Sequence, residues 1–113
     1  MHELSIVQNI VETTDAFARE HGVEKVSYVA LKIGAATGIE ERYVRMYFPD
    51  VAEGTALEGA EVRIEEVPEE AFCLDCGNVF NPRKSSDKCP ECGCSVYDLL
   101  HGNELMIREI GYN

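Results

Sequence analysis

The sequence predicts an α+β fold in which two helices pack on a three-stranded sheet and a small four-cysteine module is inserted before the last strand. Three features carry this expectation. An amphipathic stripe opens the chain, two alternating apolar stretches follow it, and all five cysteines are confined to the span from Cys73 to Cys94. With 113 residues, 45% of them hydrophobic and 27% charged, the chain fits one small domain with a satellite and carries too much hydrophobe for a disordered polymer.

Leu4, Val7, Ile10, Val11, Thr14, Phe17 and Ala18 recur at helical spacing, which predicts a first helix from Leu4 to His21 with Gly22 as its left-handed stop. From Val26 to Ile33 the pattern changes to alternation. Val29, Leu31 and Ile33 fall on one face and Tyr28, Ala30 and Lys32 on the other, as in a half-buried strand. Thr37 and Glu40 have capping-box spacing ahead of Tyr43, Val44, Tyr47 and Phe48, so a second helix is expected near Ile39 and is expected to end or kink at Pro49. Val62 to Val67 alternates again, Pro68 marks an exit, and Leu105, Ile107 and Ile110 supply a last strand. The expected body is 1–68 with 101–113, and the expected module is 69–100.

Cys73-Leu-Asp-Cys76-Gly77 and Cys89-Pro-Glu-Cys92-Gly93 are two CxxCG turns. Cysteines at i and i+3 on a tight turn can reach one ion at about 2.3 Å, and two such turns complete a tetrahedron, which makes the insert zinc-ribbon-like with Zn(II) on Cys73, Cys76, Cys89 and Cys92. Glycine after each pair supplies the positive φ that lets backbone N–H groups approach the sulfurs. Phe72, Phe80 and Val96 are too few to hold this segment by burial, so metal has to substitute for a core, contributing about 10 kcal/mol of apparent folding free energy. Four thiolates leave no position for water or substrate, which fits a structural ion. Cys94 is an extra thiol beside this set.

Met1-His2-Glu3 admits two readings. It is an ordinary N-terminal turn, or, with Met1 retained before the bulky His2 and its amine unblocked, it is a chelate. The Met1 amine, the His2 amide nitrogen, His2 Nδ1 and the Glu3 backbone present nitrogens in a plane, which suits Ni(II) or Cu(II) better than tetrahedral zinc. The amine must lose its proton to bind, so affinity falls in acid. Glu40 or Glu41, at the start of the second helix, is a candidate acidic neighbour.

Acidic residues outnumber basic ones 21 to 10, and a net charge of -11 repels phosphate backbones, which argues against nucleic acid as a partner. No apolar run approaches the roughly 20 residues of a membrane span, and the first residues lack the blocks of a signal peptide. The expectation is a cytoplasmic protein with its thiols reduced. No catalytic triad, phosphate-binding glycine loop or open metal position is recognisable, so an enzyme is not expected.

Met1-His2-Glu3-Leu4-Ser5, Lys32-Ile33-Gly34, Glu53-Gly54-Thr55, the two CxxC pairs and Gly102-Asn103-Glu104 occur in an order that resembles the HypA/HybF hydrogenase nickel-maturation metallochaperones across nearly the whole chain. The resemblance implies a nickel-binding body and a zinc-binding module. It implies that His2 and the N-terminal nitrogens carry Ni(II) to the precursor of the [NiFe]-hydrogenase large subunit, together with the nickel-handling GTPase HypB. It also implies that Glu40 assists nickel, with glutamate here where some relatives carry aspartate. Pro49 and Cys94 depart from the commonest family pattern, and a homodimer is left open. Two other readings of the residues stand beside it: a zinc-ribbon adaptor for protein interaction, and a rubredoxin-like iron carrier, since CPECG resembles that knuckle.

Overall fold

The computed structural model describes residues 3–112. In chain order the elements are α1 (Glu3–Glu20), β1 (Val26–Gly34), a 3-10 turn (Ala35–Thr37), α2 (Glu41–Ala52), β2 (Glu61–Val67), β3 (Glu70–Cys73), β4 (Val79–Phe80), β5 (Tyr97–His101) and β6 (Leu105–Tyr112). The strands form two three-stranded sheets, ordered β2-β1-β6 and β4-β3-β5. The fold is therefore α+β, as the sequence pattern predicts. The chain divides into two compact units, one of residues 1–32, 39–65 and 106–113, the other of residues 33–38 and 66–105.

In the first unit, Val7, Ile10, Val11 and Ala18 of α1 are buried with Val26, Val29 and Leu31 of β1, Val44 and Phe48 of α2, and Val62 of β2. The alternation along β1 and the stripe along α1 exist because these side chains must leave water together. The expected face of α1 is buried at Val7, Ile10, Val11, Thr14 and Ala18; Ile6 joins it, while Leu4 is 40% exposed and Phe17 is half-buried. Gly22, at φ 68, ends α1 as expected: Val23 N–H donates to Ala18 O at 2.7 Å and Gly22 N–H to Arg19 O at 3.4 Å, the paired bonds of a Schellman stop.

The expected capping box does not open α2: the Thr37 hydroxyl donates to Gly34 O at 2.8 Å, and Glu40 is the N-cap residue. Of the two outcomes expected at Pro49, an end or a kink, the end does not occur, and α2 continues to Ala52. Proline removes one backbone donor at a cost of about 3 kcal/mol in a helix interior, but Phe48 and Ala52 on either side are 4% and 0% exposed, and their burial holds the last turn in place.

In the second unit, Gly34 N–H donates to Glu104 O and Ala36 N–H to Gly102 O, both at 2.7 Å. The backbones approach so closely that a Cβ on Gly34 would lie 2.1 Å from Gly102 O. Ala71, Cys73, Phe80 and Cys89 form a small buried cluster in this unit, with Cys94, Tyr97 and Leu99 packed against it.

Candidate metal centre

The two CxxCG segments fold into matching knuckles. Cys73 N–H donates to Asn78 O and Cys89 N–H to Cys94 O, both at 2.9 Å, while Gly77 N–H reaches Cys73 O at 2.9 Å and Gly93 N–H reaches Cys89 O at 2.8 Å. Gly77 and Gly93 both sit at φ 77, the conformation the sequence assigns to them. Each knuckle then aims backbone N–H groups at its sulfurs. Asp75 N–H and Cys76 N–H reach Cys73 Sγ at 3.4 and 3.5 Å, and Glu91 and Cys92 serve Cys89 in the same way.

These turns bring Cys73, Cys76, Cys89 and Cys92 together with all four sulfurs within 4.8 Å of one another. Cys73 Sγ lies 3.5 Å from Cys92 Sγ and Cys76 Sγ lies 3.6 Å from Cys89 Sγ, too far for disulfides, and all five cysteines are free. A tetrahedron with metal–sulfur bonds of about 2.3 Å has edges of about 3.8 Å, so these separations fit one ion at the centre.

The electrostatics point the same way. Burial pushes the Cys89 thiol up, but the N–H groups of Cys92 and Glu91, with Cys76 and the Asn78 side chain, outweigh it and bring the thiol down to about 6. Cys92 goes the other way. The N–H of Cys94 favours its thiolate, but the sulfurs of Cys73, Cys76 and Cys89 together with burial push it up to about 12. The backbone thus prepares the site for negative charge, and four thiolates so close together exclude one another unless a cation sits among them.

Sequence reasoning overlooked Asn78, whose Nδ2 lies 3.7 Å from Cys89 Sγ, and the correspondence that places Cys94 where the first knuckle has Asn78. Both residues lie five positions after the first cysteine of their pair, which is the signal that could have found them. Of the candidate nickel residues, Met1 and His2 lie outside the described residues. Glu3 is the first residue of α1, and its Oε2 accepts the N–H of Glu40 at 3.1 Å. The Glu40 carboxylate accepts from Arg42 Nε at 3.2 Å.

The family model described as hydrogenase/urease nickel incorporation, metallochaperone, matches residues 1–112. The chain belongs to the HypA family. It is 45% identical over 106 residues to the hydrogenase maturation factor HypA of Chloroflexus aggregans, covering 93% of each chain. It is 43% identical over 110 residues to HypA of Chlorobium limicola, covering 97% of this chain and 95% of that one. With HybF of Salmonella typhimurium it shares 37% over 110 residues, covering 97% of each. The fold matches the solution structure of the Ni metallochaperone HypA from Helicobacter pylori with a TM-score of 0.69 at 22% identity, covering 99% of this chain and 97% of that one. HypA proteins are nickel metallochaperones for hydrogenase maturation and not enzymes, and this HypA chain has a four-cysteine metal-binding group. No described helix is long and apolar enough to cross a membrane.

Proposed function

We propose that this HypA-family chain binds Ni(II) at Met1, His2 and Glu3 and, in the cytoplasm, hands it to the precursor of the [NiFe]-hydrogenase large subunit together with the GTPase HypB. The nickel ligands are the Met1 amine, the His2 amide nitrogen, His2 Nδ1 and the Glu3 backbone nitrogen, a planar set that suits Ni(II). Zn(II) is held by Cys73, Cys76, Cys89 and Cys92, where four thiolates leave no open position and the ion is structural.

The observation that carries the nickel reading is the 3.1 Å bond from Glu40 N–H to Glu3 Oε2. It ties Glu3, the third residue, to Glu40, the N-cap residue of α2, which supports Glu40 as the acidic neighbour of the nickel ligands. Nickel entering there displaces protons from the amine and the amides. Release to a partner is an exchange of nitrogen ligands that the same protons assist, so delivery breaks no covalent bond. The cargo ligands and the thiolate cluster share no residue. His2→Ala is therefore expected to abolish Ni(II) uptake while leaving zinc content unchanged, with metal analysis after desalting as the measurement. Retained nickel in that variant contradicts the assignment.

A further inference from the structure

The cysteine module has a surface that metal binding does not use. In the sheet β4-β3-β5, Phe72 lies opposite both Val79 and Asp98, whereas Ala71 lies opposite Phe80 and Leu99. Residues opposed across antiparallel strands share a face, so the sheet has two faces of different character. Ala71, Cys73, Phe80, Tyr97 and Leu99 make the core face. Phe72, Val79 and Asp98 stand on the outer one.

The register continues beyond the strand ends. Leu74 N–H donates to Val96 O at 3.1 Å, the next step after Phe72 facing Asp98 and Cys73 facing Tyr97, so Leu74 and Val96 extend the outer face. Leu74, Val79 and Val96 are 51%, 52% and 58% exposed, and Phe72 is half-buried among them. Three large apolar side chains left half in water on one small sheet, around a fourth, form a patch of the kind that marks an interaction site.

The exposed charged residues nearest the patch along β3, β5 and the first CxxC turn are acidic. Asp98 lies opposite Phe72 on the outer face, Asp75 follows Leu74, and Glu70 lies two residues before Phe72, across a register shift, with His101 at 4.0 Å. Arg83, Lys84 and Lys88 lie in the segment 83–88, which is tied to the core face through Tyr97 Oη donating to Asp87 at 3.0 Å. Arg83 is also engaged by Glu69 at 3.2 Å. A second copy would bring the same acidic residues against this rim, and the net charge of -11 opposes both self-association and anionic lipid.

We propose that this outer face docks a partner-protein segment whose aliphatic or aromatic side chains are flanked by lysine or arginine. The apolar side chains cover Leu74, Val79 and Val96, and the basic ones meet Glu70, Asp75 and Asp98.

The test uses the full, metal-loaded chain and two synthetic peptides, one alternating valine with lysine and the other valine with glutamate. In an NMR titration the lysine peptide is expected to move the amides of Phe72, Leu74, Val79 and Val96, and the glutamate peptide is expected to leave them in place. The variant Val79→Ser with Val96→Ser, which alters exposed side chains outside the CxxC turns and keeps their backbone hydrogen bonds, is expected to weaken binding about tenfold with unchanged metal content. Glu70→Lys with Asp98→Lys is expected to transfer the preference to the glutamate peptide. The proposal is overturned by any of four results: no binding, equal binding of both peptides, shifts confined to other acidic surfaces, or undiminished affinity in the serine variant. A dimer abolished by the serine pair would assign the face to a second copy and overturn it as well, as would serine-sensitive binding to phosphatidylserine vesicles.

Discussion

Cys94 shows how a residue beside a metal site differs from one in it. Its carbonyl accepts the N–H of Cys89, as Asn78 does for Cys73, and its own Sγ is met by Val96 N–H at 3.4 Å instead of by the sulfur cluster. Cys94→Ser is therefore expected to keep the full metal content, whereas Cys89→Ser loses the metal and with it the order of the module; metal-to-protein ratios and near-ultraviolet dichroism distinguish the two. Glu104 gives the module a pH dependence of definite sign. The N–H of Gly102, at 2.6 Å, and its own backbone N–H hold its carboxyl below the ordinary range against the opposing effect of burial, with His101 assisting. Because the folded value is lowered, the stabilisation is complete above the unfolded value near 4.3 and is lost as pH falls through the folded one. Glu104→Gln is expected to melt below the parent at pH 7, with the difference closing in acid, as thermal unfolding followed across that range will show.

At the scale of elements, α1 is held by a continuous apolar face with one exception. The Thr14 hydroxyl is fully buried and has no hydrogen-bond partner among the described residues. A buried hydroxyl without a partner carries its desolvation cost uncompensated, and valine has nearly the same shape, so Thr14→Val is expected to raise stability by about 1 kcal/mol in denaturant melts. The end of α2 illustrates the opposite balance. Proline is a strong local signal to stop, yet the turn beyond it carries Ala52 into the core, and no reading of residues 45–52 alone could have weighed that burial. The strands of the module were not legible either. β3, β4 and β5 have four, two and five residues, too short for alternation to register, and their pairing depends on where the two knuckles bring the chain.

For the whole molecule, legibility followed the range of the interaction. Periodicity exposed β1, because Val29, Leu31 and Ile33 answer to one buried face, and spacing exposed the four thiolates, because the CxxCG turn is built within five residues. The burial of Ile6 and the exposure of Leu4 on α1, the bond from Glu40 N–H to Glu3 and the apolar outer face of the module depend on residues distant in sequence, and the pattern alone did not carry them. The thiolate cluster is assembled by local turns, whereas the proposed nickel set rests on the amine, amide and imidazole nitrogens of Met1 and His2, whose chemistry no periodicity records. The most direct measurement is a Ni(II) titration, followed by visible absorption, of the native chain beside one carrying a single extra residue before Met1. Stoichiometric planar nickel in the native chain and none in the extended one, with zinc equal in both, is the predicted result. Equal nickel uptake by the two would contradict it.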